Sequence, residues 1–324
     1  MDKAIGGYFE LETGKSYKDY PHAGAFHLNS GRHALEFILR SQNKLPKTIW
    51  LPYYTCDSVI QPLIRLGIPF RFYHINSQFE LEQPINLASD EMIIVNDYFG
   101  LKDQYVESLY LYYREQVIFD CTQAWYMREL PGAKQFYSPR KFFGLPDGGV
   151  AWTPIQQELR LEQDHSADRC NHLLKRIDAD SYAGYQDFRN VSAIISELPL
   201  LKMSKLTERL LGSIRHEDAR TTRLGNYSTL HNALSESNLI KVPEKISFNS
   251  VGCPMIYPFV STDIGLRQRL IDNKIYVATY WPGIENWTPA GAFEIELSQN
   301  LIPLPIDQRY GPKDMKRIID VIYG

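Results

Sequence analysis

The chain has 324 residues, 44% hydrophobic and 23% charged, a size suited to one large α/β unit or to a large domain with a smaller partner. A net charge of −3 without a basic block excludes the electrostatic footprint of a nucleic-acid-binding protein. No window approaches the roughly 20 apolar residues of a membrane span, the N-terminal stretch "MDKAIGGYFELETGKSYKDY" lacks a signal-peptide layout, and four scattered cysteines argue against a disulfide scaffold or zinc ribbon. A cytoplasmic protein without a metal site is the expectation.

In "HLNSGRHALEFILRSQ", Ser30 is a candidate N-cap, and Ala34, Leu35, Ile38 and Leu39 recur at helical spacing. "KTIWLPYY" predicts a strand ending at Pro52, and "CDSVIQPLIRLG" a helix closed by Gly67. Further strands are expected in "PFRFYHI", "EMIIVNDYFG" and "QVIFDCTQAWY", the last ending at Asp120, and "GGVAWTP" returns to the sheet. This alternation predicts a mostly parallel sheet covered on both faces.

From about residue 156 to 233 the pattern is helical. One face runs through Leu200, Met203, Leu206, Leu210 and Ile214, and "DARTTRLGNYSTLHNAL" continues it. Strands are then expected in "MIYPFV", "KIYVA" and "AFEIEL". A last helix opens at Pro312 and turns Met315, Ile318, Ile319 and Ile322 inward. The predicted division is a large domain over 1–213 and a smaller α/β domain over 214–324.

Ligands of open α/β sheets bind beyond the carboxyl ends of the strands. Asn29, Ser30, Gly31 and Arg32 precede a helix there, so backbone N–H groups and the helix dipole favour an anion. The same residues also fit an ordinary N-cap beside a solvent-facing arginine. Asp120 ends an apolar strand, either facing a cation in the crevice or capping a turn, with Gln123 close by. In "SPRKFFGLPDGG", Lys141 is either a surface charge on a tight loop or an amine desolvated by Phe142 and Phe143. Tyr53, Tyr54, Tyr98 and Trp125 offer flat faces on the same loops. An anion cup, a carboxylate, a lysine and aromatic faces together match the needs of pyridoxal 5′-phosphate.

In this order the segments resemble the DegT/DnrJ/EryC1/StrS sugar-aminotransferase family of pyridoxal-phosphate enzymes, nearly end to end. "LNSGRHAL" is similar to its Ser-Gly-Thr-x-Ala-Leu phosphate loop, and "LPYYTCDSVIQPLIRLG" to its Pro-x-x-Thr-aromatic segment. "VIFDCTQAW" is similar to Glu-Asp-x-x-Gln, "KFFGLPDGG" to Lys-x-x-x-x-Gly-Glu-Gly-Gly, and "LIPLPIDQRYGPKDMKRIIDVI" to the closing strand and helix.

The resemblance implies the type I fold of pyridoxal-phosphate transferases, an α/β fold with a large domain around a mostly parallel sheet and a smaller C-terminal α/β domain. It implies that Lys141 forms the internal aldimine and shuttles protons, and that Asp120 pairs with the ring nitrogen. Gln123 would lie against the ring or its hydroxyl, and Ser30, Gly31 and Arg32 would hold the phosphate. It further implies ping-pong transfer from a donor such as glutamate to a nucleotide-linked keto-sugar, in a homodimer.

The chain departs from the family pattern at several positions. Phe136 stands where a phosphate-binding serine is usual, so Ser138 is the candidate substitute. Cys56 stands at the ring-stacking position, leaving Tyr54 or Tyr98 to stack. "GYQDFR" (184–189) only echoes the segment that reaches a partner's site. Other amino-acid chemistry, or a cofactor-binding regulatory role without turnover, therefore stays open. A nicotinamide-binding turn is disfavoured by the single glycine of "NSGRHA". Tyr8, His27, Tyr280 and Trp281 are pocket or packing residues. Arg220 and Arg223 either bind an acidic substrate or line a solvated helix.

Overall fold

The computed structural model describes residues 9–17, 20–180, 182–243 and 252–324; Tyr8 lies outside them. Strands β1 (Phe26–Leu28), β2 (Thr48–Pro52), β3 (Phe70–Tyr73), β4 (Glu91–Asn96), β5 (Val117–Asp120), β6 (Lys134–Tyr137) and β7 (Gly149–Trp152) form one sheet. Its order is β1-β7-β6-β5-β4-β2-β3. All neighbouring pairs are parallel except those of β7, which runs antiparallel to β1 and β6.

The apolar runs explain the layering. Along β4 and β5 successive side chains point to opposite faces. Ile93, Val95, Val117 and Phe119 join one buried cluster, and Met92, Ile94 and Ile118 join another. Helices α1 (Gly31–Arg40) and α2 (Asp57–Leu66) cover the second face with Ala34, Leu35, Ile38, Leu39, Val59 and Leu63. Gly67 ends α2 at φ 66, a left-handed value that glycine adopts without strain. Helix α3 (Asp103–Tyr113) connects β4 to β5, and α4 (Asn171–Asp178), α5 (Tyr185–Glu197) and α6 (Lys205–Gly212) follow the sheet.

A third cluster gathers Tyr227, Leu230, Tyr257, Phe259, Leu270, Leu304, Met315 and Ile318. They come from α7 (His216–Leu234), β8 (Ile256–Val260), α8 (Leu266–Asp272), β9 (Leu301–Pro305) and α10 (Pro312–Tyr323), with β8 and β9 paired antiparallel; α9 (Phe293–Asn300) precedes β9. In α10, Met315 and Ile318 are buried, while Ile319 and Ile322 pack against the cluster's edge.

Three expectations are corrected. "AFEIEL" is helical, because Glu294 is the inward residue: its buried carboxylate accepts from the Ile75 N–H at 2.8 Å and meets His74 Nδ1. "KIYVA" is not a strand. Lys274 at φ 58 closes α8, and Ile275 N–H returns to the Leu270 carbonyl. The helix expected from Leu200 begins only after Ser204, whose Oγ caps it by accepting from Thr207 N–H at 3.1 Å. Met203 precedes it in extended chain, bonded to the His27 carbonyl, and α6 stops before α7 rather than running into it. The sequence reading also passed over the short strands β1 and β6.

Candidate active site

The carboxyl ends of β2, β4, β5 and β6 lie on one edge of the sheet, with Asn96, Asp120 and Phe136 side by side in register. Antiparallel β7 starts at that edge, and β1 ends there, so Gly148 bridges Ser30. A Cβ on Gly149 would lie 2.0 Å from the Ser30 carbonyl oxygen. Only glycine lets the head of β7 lie against the start of α1.

Asp120 is 5% exposed at the end of β5, and its Oδ1 accepts from the Thr122 N–H at 2.9 Å. Burial pushes its pKa up, while the Lys141 charge and the Thr122 bonds pull it back. Lys141 ends the single 3-10 turn Pro139–Lys141 that follows β6, and its Nζ donates to Thr122 Oγ1 at 2.7 Å. Asp120, Thr122 and Lys141 thus form one connected group.

The expectation for Phe142 and Phe143 is overturned. Both rings are buried, whereas Lys141 is solvent-exposed in the single chain. Phe142 lies under the Arg223 guanidinium, 4.6 Å from its ring centroid, and Phe143 packs edge-on against Trp125 and His216. Arg223 is corrected as well. It is 2% exposed and donates to Gln308 Oε1, the Met255 carbonyl and the Phe142 carbonyl, at 2.9, 3.0 and 3.3 Å. It ties the lysine loop to β8 and is not a solvated charge. Arg220 sits 3.7 Å from Glu217 on the same helix.

Ser30 caps α1, accepting from His33 N–H at 3.4 Å. Burial pushes His33 down to about 4, so its ring is neutral. Its Nε2 donates to the Leu198 carbonyl, and Nδ1 accepts from the Ser30 hydroxyl at 2.8 Å. Gly31 faces the site closely: a Cβ there would lie 3.2 Å from Thr122 Cγ2 and 3.4 Å from Ser138 Cβ. Arg32 donates to Gln61 Oε1.

Cys56 stands before α2, its thiol pushed up by burial and pulled back by the Lys141 charge. Tyr54 and Tyr98 are 0% and 2% exposed, stacked at 5.8 Å, with Trp281 edge-on to Tyr54 and Tyr280 stacked on Phe99. Neither tyrosine ring has a face free to receive a ligand in this packing. Gln123 Oε1 accepts from the Phe99 N–H at 3.1 Å, and His27 Nε2 donates to the His22 carbonyl at 3.1 Å.

The sequence reading missed Thr122 and Arg140. Thr122 stands in the quoted segment "VIFDCTQAW", between the two residues singled out there. Arg140 is half-buried beside Lys141. Burial, with Arg169 and Arg32 nearby, lowers it to about 10, and Asp147 opposes that fall. Among the described residues, no group of three or more His, Cys, Asp or Glu side chains is placed to hold a metal, and no helix is long and apolar enough to cross a membrane.

Neither a family model nor a curated protein matches the sequence. Solved structures match over nearly the whole chain. The sugar aminotransferase CalS13 from Micromonospora echinospora is 14% identical with a TM-score of 0.58, over 93% of this chain and 87% of its own. A DegT DnrJ EryC1 StrS aminotransferase from Brucella abortus is 15% identical with a TM-score of 0.58, over 93% and 86%. Helicobacter pylori PseC, an aminotransferase involved in the biosynthesis of pseudoaminic acid, is 14% identical with a TM-score of 0.60, over 92% and 85%. This chain has the fold of the sugar aminotransferases. Within that aminotransferase fold, Asp120, Lys141 and the start of α1 all lie at the edge where the parallel strands end.

Proposed function

We propose that the protein is a pyridoxal-phosphate-dependent aminotransferase that moves an amino group from a donor such as glutamate to a keto-sugar. The observation that carries this reading is the connected group at the sheet edge. Lys141 Nζ reaches Thr122 Oγ1 at 2.7 Å, and Thr122 N–H reaches Asp120 Oδ1 at 2.9 Å, beside the glycine-floored start of α1. The sugar class of acceptor is taken from the structural neighbours.

The donor set suits the cofactor. A buried carboxylate needs a cationic partner, which a protonated pyridine nitrogen provides. The start of α1 after Ser30 offers backbone N–H groups and the positive end of the helix dipole to a phosphate. Ser30, Gly31, Arg32 and Ser138 would hold that phosphate, with Arg140 as an added cation. Of the three stacking candidates, Cys56 is the one beside Lys141 that keeps some exposure.

Bound there, pyridoxal 5′-phosphate supplies an aldehyde for amine exchange and an electron sink. Asp120 holds the proton on the ring nitrogen. Lys141 Nζ would anchor the cofactor and serve as the base that takes up and returns the carbon-bound proton of the substrate. Gln123 keeps the loop at Phe99 in place beneath the site.

The reading includes a homodimer, division into domains at 213/214 and a cytoplasmic location. Support for the dimer lies in α4 and α5, where Leu174, Ile177, Tyr185 and Phe188 are exposed. Helix α4 also flanks the lysine loop, since a Cβ on Gly144 would meet Leu173 at 3.4 Å.

The test is reconstitution with pyridoxal phosphate, followed by glutamate. The reading requires a near-visible absorption band that glutamate removes with release of 2-oxoglutarate, and no such band in Lys141→Ala. A band indifferent to every amino donor supports a cofactor-binding role without transamination. No band at all refutes the assignment.

A further inference from the structure

Thr122 touches three parts of the site at once. It is 8% exposed, and its backbone N–H is fixed on Asp120 Oδ1 at 2.9 Å. Its Cγ2 methyl lies 3.2 Å from where a Gly31 side chain would begin. Its Oγ1 accepts from Lys141 Nζ at 2.7 Å. A β-branched side chain has few χ1 choices. With the backbone held and the methyl against α1, the hydroxyl is directed at Lys141.

We propose that Thr122 is a positioning residue that seats the Lys141 amine whenever it is not bonded to the cofactor's carbonyl carbon. This rests on the pyridoxal-phosphate reading and adds to it a residue that the sequence comparison did not supply. A released amine on four flexible carbons otherwise has many rotamers open to it. The hydroxyl oxygen suits the task because it accepts an N–H from the amine whether that amine is protonated or neutral. A carboxylate in its place would hold the ammonium form and impede proton transfer.

Thr122→Val keeps the branched shape and removes the acceptor. Thr122→Ser keeps the acceptor and loses the methyl that aims it. In the protein without cofactor, peptide mapping after brief trinitrobenzenesulfonate labelling compares Lys141 with exposed Lys313. The valine protein should label at Lys141 at least ~3-fold faster than wild type, and the serine protein close to wild type. In the reconstituted protein, the single-turnover rate with glutamate should fall about 10-fold or more for valine, with half-saturating glutamate within ~3-fold of wild type. Serine should recover most of the rate.

Equal labelling in all three proteins overturns the seat. So does a valine defect confined to glutamate affinity, or one that serine does not relieve. If wild type takes up no pyridoxal phosphate, the functional reading fails and the role in turnover with it. The labelling comparison still decides separately whether Thr122 holds Lys141.

Discussion

At Arg223 a guanidinium has left water almost completely, and the cost is offset by three acceptors and the face of Phe142. Replacing it with methionine leaves Gln308 Oε1 and the Met255 carbonyl short of a donor, while the Phe142 carbonyl keeps Gln308 Nε2 at 2.8 Å. The expected loss is about 3 kcal/mol of stability by urea unfolding, with the lysine loop loosened; an unchanged midpoint would contradict the role. Asp97 and Asp103 make the opposite case. Asp97 Oδ1 accepts from Lys102 N–H, but Asp97 Oδ2 and Asp103 Oδ1 have no donor among the described residues. Burial and the neighbouring acid push Asp97 well above the usual range, and burial raises Asp103 to about 6. Carboxyls raised on folding stabilise most below the unfolded value near 4, and that contribution is lost as pH climbs through 6 and beyond. Asp97→Asn keeps the acceptor for Lys102 and offers Asp103 a permanent donor. Its stability should fall less between pH 5.5 and 8, and exceed wild type at pH 8 by roughly 1 kcal/mol; parallel pH curves would rule this out.

Among the elements, the meeting of β7 with α1 matters most, because it brings the start of α1, the proposed anion cup, to the head of β7 after the lysine loop. Gly149→Ala puts a methyl 2.0 Å from the Ser30 carbonyl oxygen, where neither backbone can yield cheaply. The expected cost is about 2–3 kcal/mol with weakened pyridoxal-phosphate binding, read from the melting temperature and a cofactor titration. Normal binding by the variant would show that the contact is dispensable. The parallel strands were legible in sequence because Ile, Val and Phe runs buried on both faces have few other uses. Lys141 and Asp120 became candidates because charged residues stood out against those runs. Other features were not legible. "KQFY" carries too few apolar residues to announce β6. "AFEIEL" alternates like a strand, yet its glutamate turns inward to bond a backbone N–H. Arg223 looked like a surface charge because its acceptors, in the segments around Phe142, Met255 and Gln308, are far away in sequence.

For the whole molecule, the proposed homodimer would cover the exposed apolar side chains of α4 and α5 and the open Lys141. Ile177 is 80% exposed, beyond what an isolated helix face needs. Light scattering should give twice the 37.5 kDa chain mass, and Ile177→Glu should shift the protein toward monomer while weakening cofactor retention. A wild type that is monomeric at working concentration would contradict this part of the account. The central claim, that Lys141 is the residue which takes the cofactor, has a more direct test. The pyridoxal-phosphate-loaded protein is reduced with borohydride, digested and mapped by mass spectrometry. The account predicts one phosphopyridoxyl group per chain, on the peptide carrying Lys141; modification at another lysine, or none, would contradict it.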